Sequence, residues 1–174
     1  MLLIKILILI ILLAIFIQDI ISRYVYWILF PPLALSFILM HVLQHEPFKE
    51  LWIVVLINLV FLAIQLGIVT LYFSFKKRHW VNITSQMIGW GDILFLLCIS
   101  FYFSNLNFLL FYLTSLILSL FFWLIWQSFL KTKNKQIPLA GLQSLLLTLF
   151  LSTDWYCIHI NSTNDSWLLK ILIK

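Results

Sequence analysis

The chain has 174 residues, 64% of them hydrophobic and only 10% charged, with a formal net charge of +5. A soluble domain of this length carries roughly a quarter of its residues as charged ones, so too little polar surface exists to clothe a water-soluble globule. That composition excludes an ordinary soluble domain and makes the bilayer the solvent.

A helix needs about 20 apolar residues to cross roughly 30 Å of hydrocarbon. Six stretches are predicted to do so, at about 2–18, 27–44, 51–74, 92–104, 108–130 and 138–158. The first, LLIKILILIILLAIFIQ, has no small-residue cleavage site after it and is followed by five further apolar segments, so it is read as a retained span. The second ends in HVLQHE, where His41 and His45 stand at ligand spacing without an obvious third ligand, and no metal is expected. The third carries Asn58 and Gln65 two turns apart, suited to hydrogen bonds between helices. The fourth is the shortest and is expected to extend through Asn105 or to begin before Gly91. In the sixth, Asp154 lies near the outer end, within reach of His159. The last stretch, SWLLKILIK, is expected to lie along the outer interface as a short amphipathic helix.

The expected fold is therefore an all-α membrane protein, a single domain over 1–174 built as a bundle of about six transmembrane helices. Lysine and arginine collect on the cytoplasmic side. Arg23 lies between spans one and two, Lys76, Lys77 and Arg78 between three and four, and Lys131, Lys133 and Lys135 between five and six. The other two connections hold only Lys49, beside Glu46 and Glu50. Both termini are thus expected outside, and the basic surplus reads as topology rather than as a nucleic-acid footprint. Trp52, Trp80, Trp155 and Tyr156 are expected at the headgroups. Cys98 and Cys157 form no CxxC and suggest neither a disulfide framework nor a zinc site.

This topology puts Asp19, closing the first span, and Asp92, opening the fourth, at one depth near the cytosolic boundary. Acids at such a depth usually face the bundle interior. Two carboxylates a few ångströms apart cannot both ionise and so share a proton. The ionised member can then deprotonate water while the protonated one polarises a peptide carbonyl. Gly89 and Gly91, just before the second acid in IGWGD, are expected to take positive φ or to admit a substrate strand closely. The plainer readings are an N-cap role for Asp92 and an i,i+4 pair between Asp19 and Arg23.

The arrangement resembles the type IV prepilin peptidases and archaeal preflagellin peptidases, the GxGD aspartyl proteases of membranes. An aspartate ends the first helix in IFIQDIISRYVYWILFPPL, Gly-x-Gly-Asp opens the fourth in MIGWGDILFLL, and a Pro-led sixth span begins QIPLAGLQSLLLTLF. The resemblance covers roughly the whole chain. It implies that Asp19 and Asp92 are the catalytic pair, that Gly89, Gly91 and Arg23 shape the site, and that no cofactor is needed. It further implies a prokaryotic inner-membrane enzyme, its site facing the cytosol, that cuts leaders from membrane-anchored pilin-like precursors. Leu94 and Tyr26 stand where the family commonly has a lysine and a proline. The paired CxxC segment of bifunctional members is not in this sequence, so methyl transfer is not expected. Two other readings stay open: a catalytically silent protein that holds pilin-like helices, and a small proton-coupled carrier.

Overall fold

Backbone N–H and C=O groups have no water to bind inside a bilayer, so apolar runs of this length close their hydrogen bonds within themselves as helices. The computed structural model describes residues 1–44, 48–77, 89–130, 138–158 and 162–172. Among them all regular structure is helical. The elements are α1 (Leu2–Ser22), a 3-10 turn (Trp27–Leu29) running into α2 (Phe30–Leu43), α3 (Phe48–Lys77), α4 (Trp90–Ile99), α5 (Asn105–Leu130), α6 (Leu139–Thr153) with a π-helical extension (Asp154–Ile158), and α7 (Ser166–Leu172). Each of the six predicted segments is a helix.

Three of them, α1, α3 and α5, are long and apolar enough to cross a membrane. By contrast α4 has 10 residues, a rise of about 15 Å, half a hydrocarbon core. It starts one residue before Gly91 but does not extend through Asn105. Residues Ser100 to Ser104 form a turn instead, where the side-chain amide of Asn58 on α3 donates to the carbonyls of Ser100 and Phe103 (3.4 and 3.2 Å).

Neighbour contacts fix the direction of each helix. Lys5 lies over the Trp155 ring while Asp19 meets Gly141, so α1 and α6 are antiparallel. Val25 lies beside Gly91, Cys98 donates to the Phe30 carbonyl and Phe37 packs on Tyr102, so α2 and α4 run together. Asn58 bonds the Phe103 carbonyl while Phe61, further along α3, meets Phe108 and Tyr112 edge-on, so α3 and α5 also run together. Asp92 binds the start of α6 from the start of α4, and Arg23 after α1 lies over Trp123 towards the end of α5, so the six helices alternate in direction along the chain, with Asp19, Asp92 and the start of α6 at one end of the bundle.

The tightest packing is α1 against α6. On α1 the buried stripe is Ile8, Ile11, Leu12 and Ile15, recurring every three to four residues. It faces Ala140, Gly141, Ser144, Leu147, Thr148 and Leu151 of α6, all buried. Small residues let helix backbones approach closely where lipid removes the hydrophobic drive for association. On α6 the buried hydroxyls bond within the helix, Ser144 to the Gly141 carbonyl and Thr148 to that of Ser144.

At the far end, Asp165 accepts hydrogen bonds from the Ser104 hydroxyl and from the N–H groups of Leu106 and Asn107. It thus caps α5 from outside that helix. The predicted C-terminal helix is α7, with Leu168 buried and Lys170 exposed.

Candidate active site

Asp19 continues the buried stripe of α1 one turn beyond Ile15, so helical spacing alone aims its carboxylate at α6. Its residual exposure is 6%. The helix ends just after it, at Arg23, whose φ of 60° is left-handed and whose N–H returns to the Asp19 carbonyl. This turn sends the chain back along the bundle end, where Tyr26 donates its N–H to the Gln18 side chain and Val25 lies beside Gly91.

Asp92 lies in the first turn of α4. Gly89 is the N-cap, in extended conformation (φ −66°, ψ 144°), and Asp92 stands three residues further on. Its Oδ2 accepts from the Gly89 N–H at 3.1 Å, the acidic half of a capping box. Its Oδ1 reaches across to α6 and accepts from the Ala140 N–H at 2.7 Å. The next amide, Gly141 N–H, donates to Asp19 Oδ2 at 2.6 Å. Two acids far apart in sequence are therefore bound to consecutive peptide groups.

The reason lies in how α6 begins. Pro138 is its N-cap and offers no side-chain acceptor. The first N–H groups of a helix have no partner within it, and their aligned dipoles favour negative charge. Asp92 and Asp19 supply what Pro138 lacks. With both bonds in place, the two bound oxygens are no more than about 9 Å apart, allowing one peptide unit between the nitrogens. Asp19 is close enough for its charge to act on Asp92.

Gly141 makes the approach possible. A Cβ there would lie 2.9 Å from Asp19 Cβ and 3.0 Å from its Oδ2, closer than atoms pack. At Gly91 the nearest atom to an added Cβ would be Val25 Cβ at 3.5 Å, an ordinary contact. No glycine among the described residues has positive φ. The expectation that Gly89 and Gly91 use left-handed backbone is thus corrected, because an N-cap and a first helical turn need only extended and helical dihedrals. Ala140 and Gly141 escaped the sequence reading. Their signal was present, since the chain has four glycines and one of them opens the sixth helix.

Arg23 is half-buried and holds its guanidinium over the Trp123 ring, 4.9 Å from the centroid, while its charge acts on Asp19. Leu94 packs against the core and Tyr26 is exposed. Trp155, expected at the headgroups, is buried and donates its indole N–H to the Tyr102 hydroxyl at 3.1 Å. Trp52 and Tyr156 are exposed. His41 lines a cavity of ≈ 220 Å³ at the far end with Glu50 and Asp165. Asp154 is buried, and its Oδ2 accepts from the Ser162 hydroxyl. His45, which shares ligand spacing with His41, and His159, within reach of Asp154 in sequence, lie outside the described residues, as do Trp80, Arg78 and Lys131, Lys133 and Lys135. Asn58 bonds the turn between α4 and α5 rather than a facing helix, and Gln65 carries a buried Oε1 for which the described residues provide no donor.

Compared with known proteins, the chain matches no family model, no curated protein and no solved structure.

Proposed function

We propose that this protein is an intramembrane aspartic endopeptidase that removes leader peptides from membrane-anchored pilin-like precursors at the cytosolic face of a prokaryotic inner membrane. In this reading all six bundle helices cross or enter the membrane, both termini lie outside, and Asp19 and Asp92 form the acid–base pair. One observation carries it: two carboxylates from different helices meet on consecutive amides at the N-terminus of a third.

A singly protonated pair bears one negative charge, which a helix N-terminus favours. The ionised carboxylate takes a proton from water, whose oxygen attacks the peptide carbonyl. The protonated carboxyl donates to the carbonyl oxygen, and the proton gained from water then passes to the leaving nitrogen as the C–N bond breaks. The amides of Ala140 and Gly141 hold both groups in position, and pre-set geometry of this kind lowers the entropic part of the barrier. A precursor helix lying in the bilayer with its leader in the cytosol brings the scissile bond to this depth. Gly89 and Gly91 add no side chain of their own beside Asp92.

A second reading has an observation of its own. The carboxylates occupy the N–H groups that Pro138 leaves open, which a silent, helix-holding relative would need equally. Asparagine separates the two, because its carbonyl oxygen still accepts an N–H bond but cannot exchange a proton. Purified protein is mixed with a precursor bearing a basic leader, beside Asp19→Asn and Asp92→Asn. A peptidase yields product with a bell-shaped pH–rate profile, and either substitution lowers the rate by at least about 100-fold with helicity unchanged. A holder binds the precursor and never cuts it, which would end the peptidase reading.

A further inference from the structure

Beside the acid pair, between α1, α5 and α6, runs a groove of ≈ 230 Å³. Its walls include Phe16, Trp123, Trp126, Leu142 and Leu145, and at one end stands Arg23, its one charged side chain among the described residues. Phe16 and Arg23 share the α1 face that carries Asp19, so the charged end of the groove lies where the apolar part of α1 stops. Trp126 is about half exposed on the outer surface of α5, so the groove opens sideways to whatever solvates the bundle.

We propose that this groove is a binding site for an anionic phospholipid, with the headgroup phosphate on Arg23 and an acyl chain along the aromatic wall. Charge complementarity selects the occupant: one cation at the head of an otherwise apolar slot fits an anion that carries a hydrocarbon tail. The guanidinium carbon lies 4.9 Å from the centroid of the Trp123 ring, and a guanidinium binds phosphate through two N–H groups at once, which suits arginine better than lysine. Size points the same way. A helix with its side chains is about 10–12 Å across and could seat only a side chain here, while an acyl chain is a single thread of methylenes. A basic leader peptide would be repelled by Arg23. Basic pockets between membrane helices are a recognised class of lipid headgroup site. This site does not depend on the peptidase reading and stands if no peptide is ever cut.

Consequences follow for the acids, since Phe16 contributes both to the groove wall and, through its carbonyl 3.3 Å from the Cβ position of Gly141, to the α1–α6 seam. A lipid in the groove braces that seam from outside.

The full chain, reconstituted in nanodiscs of phosphatidylglycerol and phosphatidylcholine in equal amounts, is released into the gas phase and its retained lipid weighed by native mass spectrometry. Phosphatidylglycerol is expected to be retained about fivefold over phosphatidylcholine, the order of one basic contact near a surface. Arg23→Gln should abolish that preference, Arg23→Lys should keep part of it, and Trp126→Ala, at an exposed position, should reduce retention of both lipids. Equal retention of the two lipids by the wild-type chain overturns the proposal without recourse to any variant. So does an undiminished preference in Arg23→Gln, or displacement of the lipid by an apolar helical peptide in one-to-one ratio, which would assign the groove to a polypeptide.

Discussion

Aspartate and asparagine differ by one proton-exchanging group and little in shape, and the site should resolve that difference. Replacing Asp19 by Ala leaves the Gly141 N–H buried without an acceptor, a loss of about 1–3 kcal/mol. Asp19→Asn keeps an oxygen there and should fall well short of that loss, a contrast read from thermal unfolding in detergent. The glycines invite a second comparison. Gly141→Ala forces a methyl group into Asp19 and should destabilise by about 1–3 kcal/mol, as overpacking does. Gly91→Ala meets only ordinary contact with Val25 and should leave the melting temperature within error. If the two alanine variants melt alike, Gly141 is not the close approach described. The glycine pattern in IGWGD was legible in the sequence. The glycine that matters most for packing was not singled out, because its neighbour lies on a helix distant in the chain.

Among the elements, α5 and α6 share a device. Neither helix start is capped by its own residues alone: Asp165 closes α5, and Asp19 with Asp92 closes α6. Three of the six acids in the sequence are thus bound to helix N-termini on other segments. Loss of an N-cap costs about 0.5–2 kcal/mol. Asp165→Ala should therefore fray the start of α5, with hydrogen exchange accelerating over residues 105–108 while the middle of α5 keeps its protection. Unchanged exchange there would mean that Ser104 and Asn107 hold the turn without the acid. Helix positions were readable from apolar run length, since the segments predicted at 2–18, 51–74 and 108–130 became α1, α3 and α5. Their ends were less so, because Asn58, which bonds the turn after Ile99, acts from α3.

Across the whole molecule, alternating helix direction puts the acid pair and the end of α1 on one side and Asp165 on the other. Single cysteines test this directly in a background of Cys98→Ser and Cys157→Ser. Ser22→Cys and Asn164→Cys, both at exposed positions, should be labelled from opposite sides of the membrane. An impermeant maleimide applied to intact cells should reach only Asn164→Cys. Labelling of both without opening the membrane would remove the proposed topology.

Composition and run length by themselves determined that the chain is helical and apolar enough for a bilayer, since a backbone without water must satisfy itself locally. They also singled out Asp19 and Asp92, because ionisable groups are costly and rare in such surroundings. Only the tertiary structure decided that both acids meet on Ala140 and Gly141, that Gly141 makes room for Asp19, and that Trp155 turns inward. Those outcomes depend on which helix faces which, and side-chain spacing along one helix carries no information about the helix across from it.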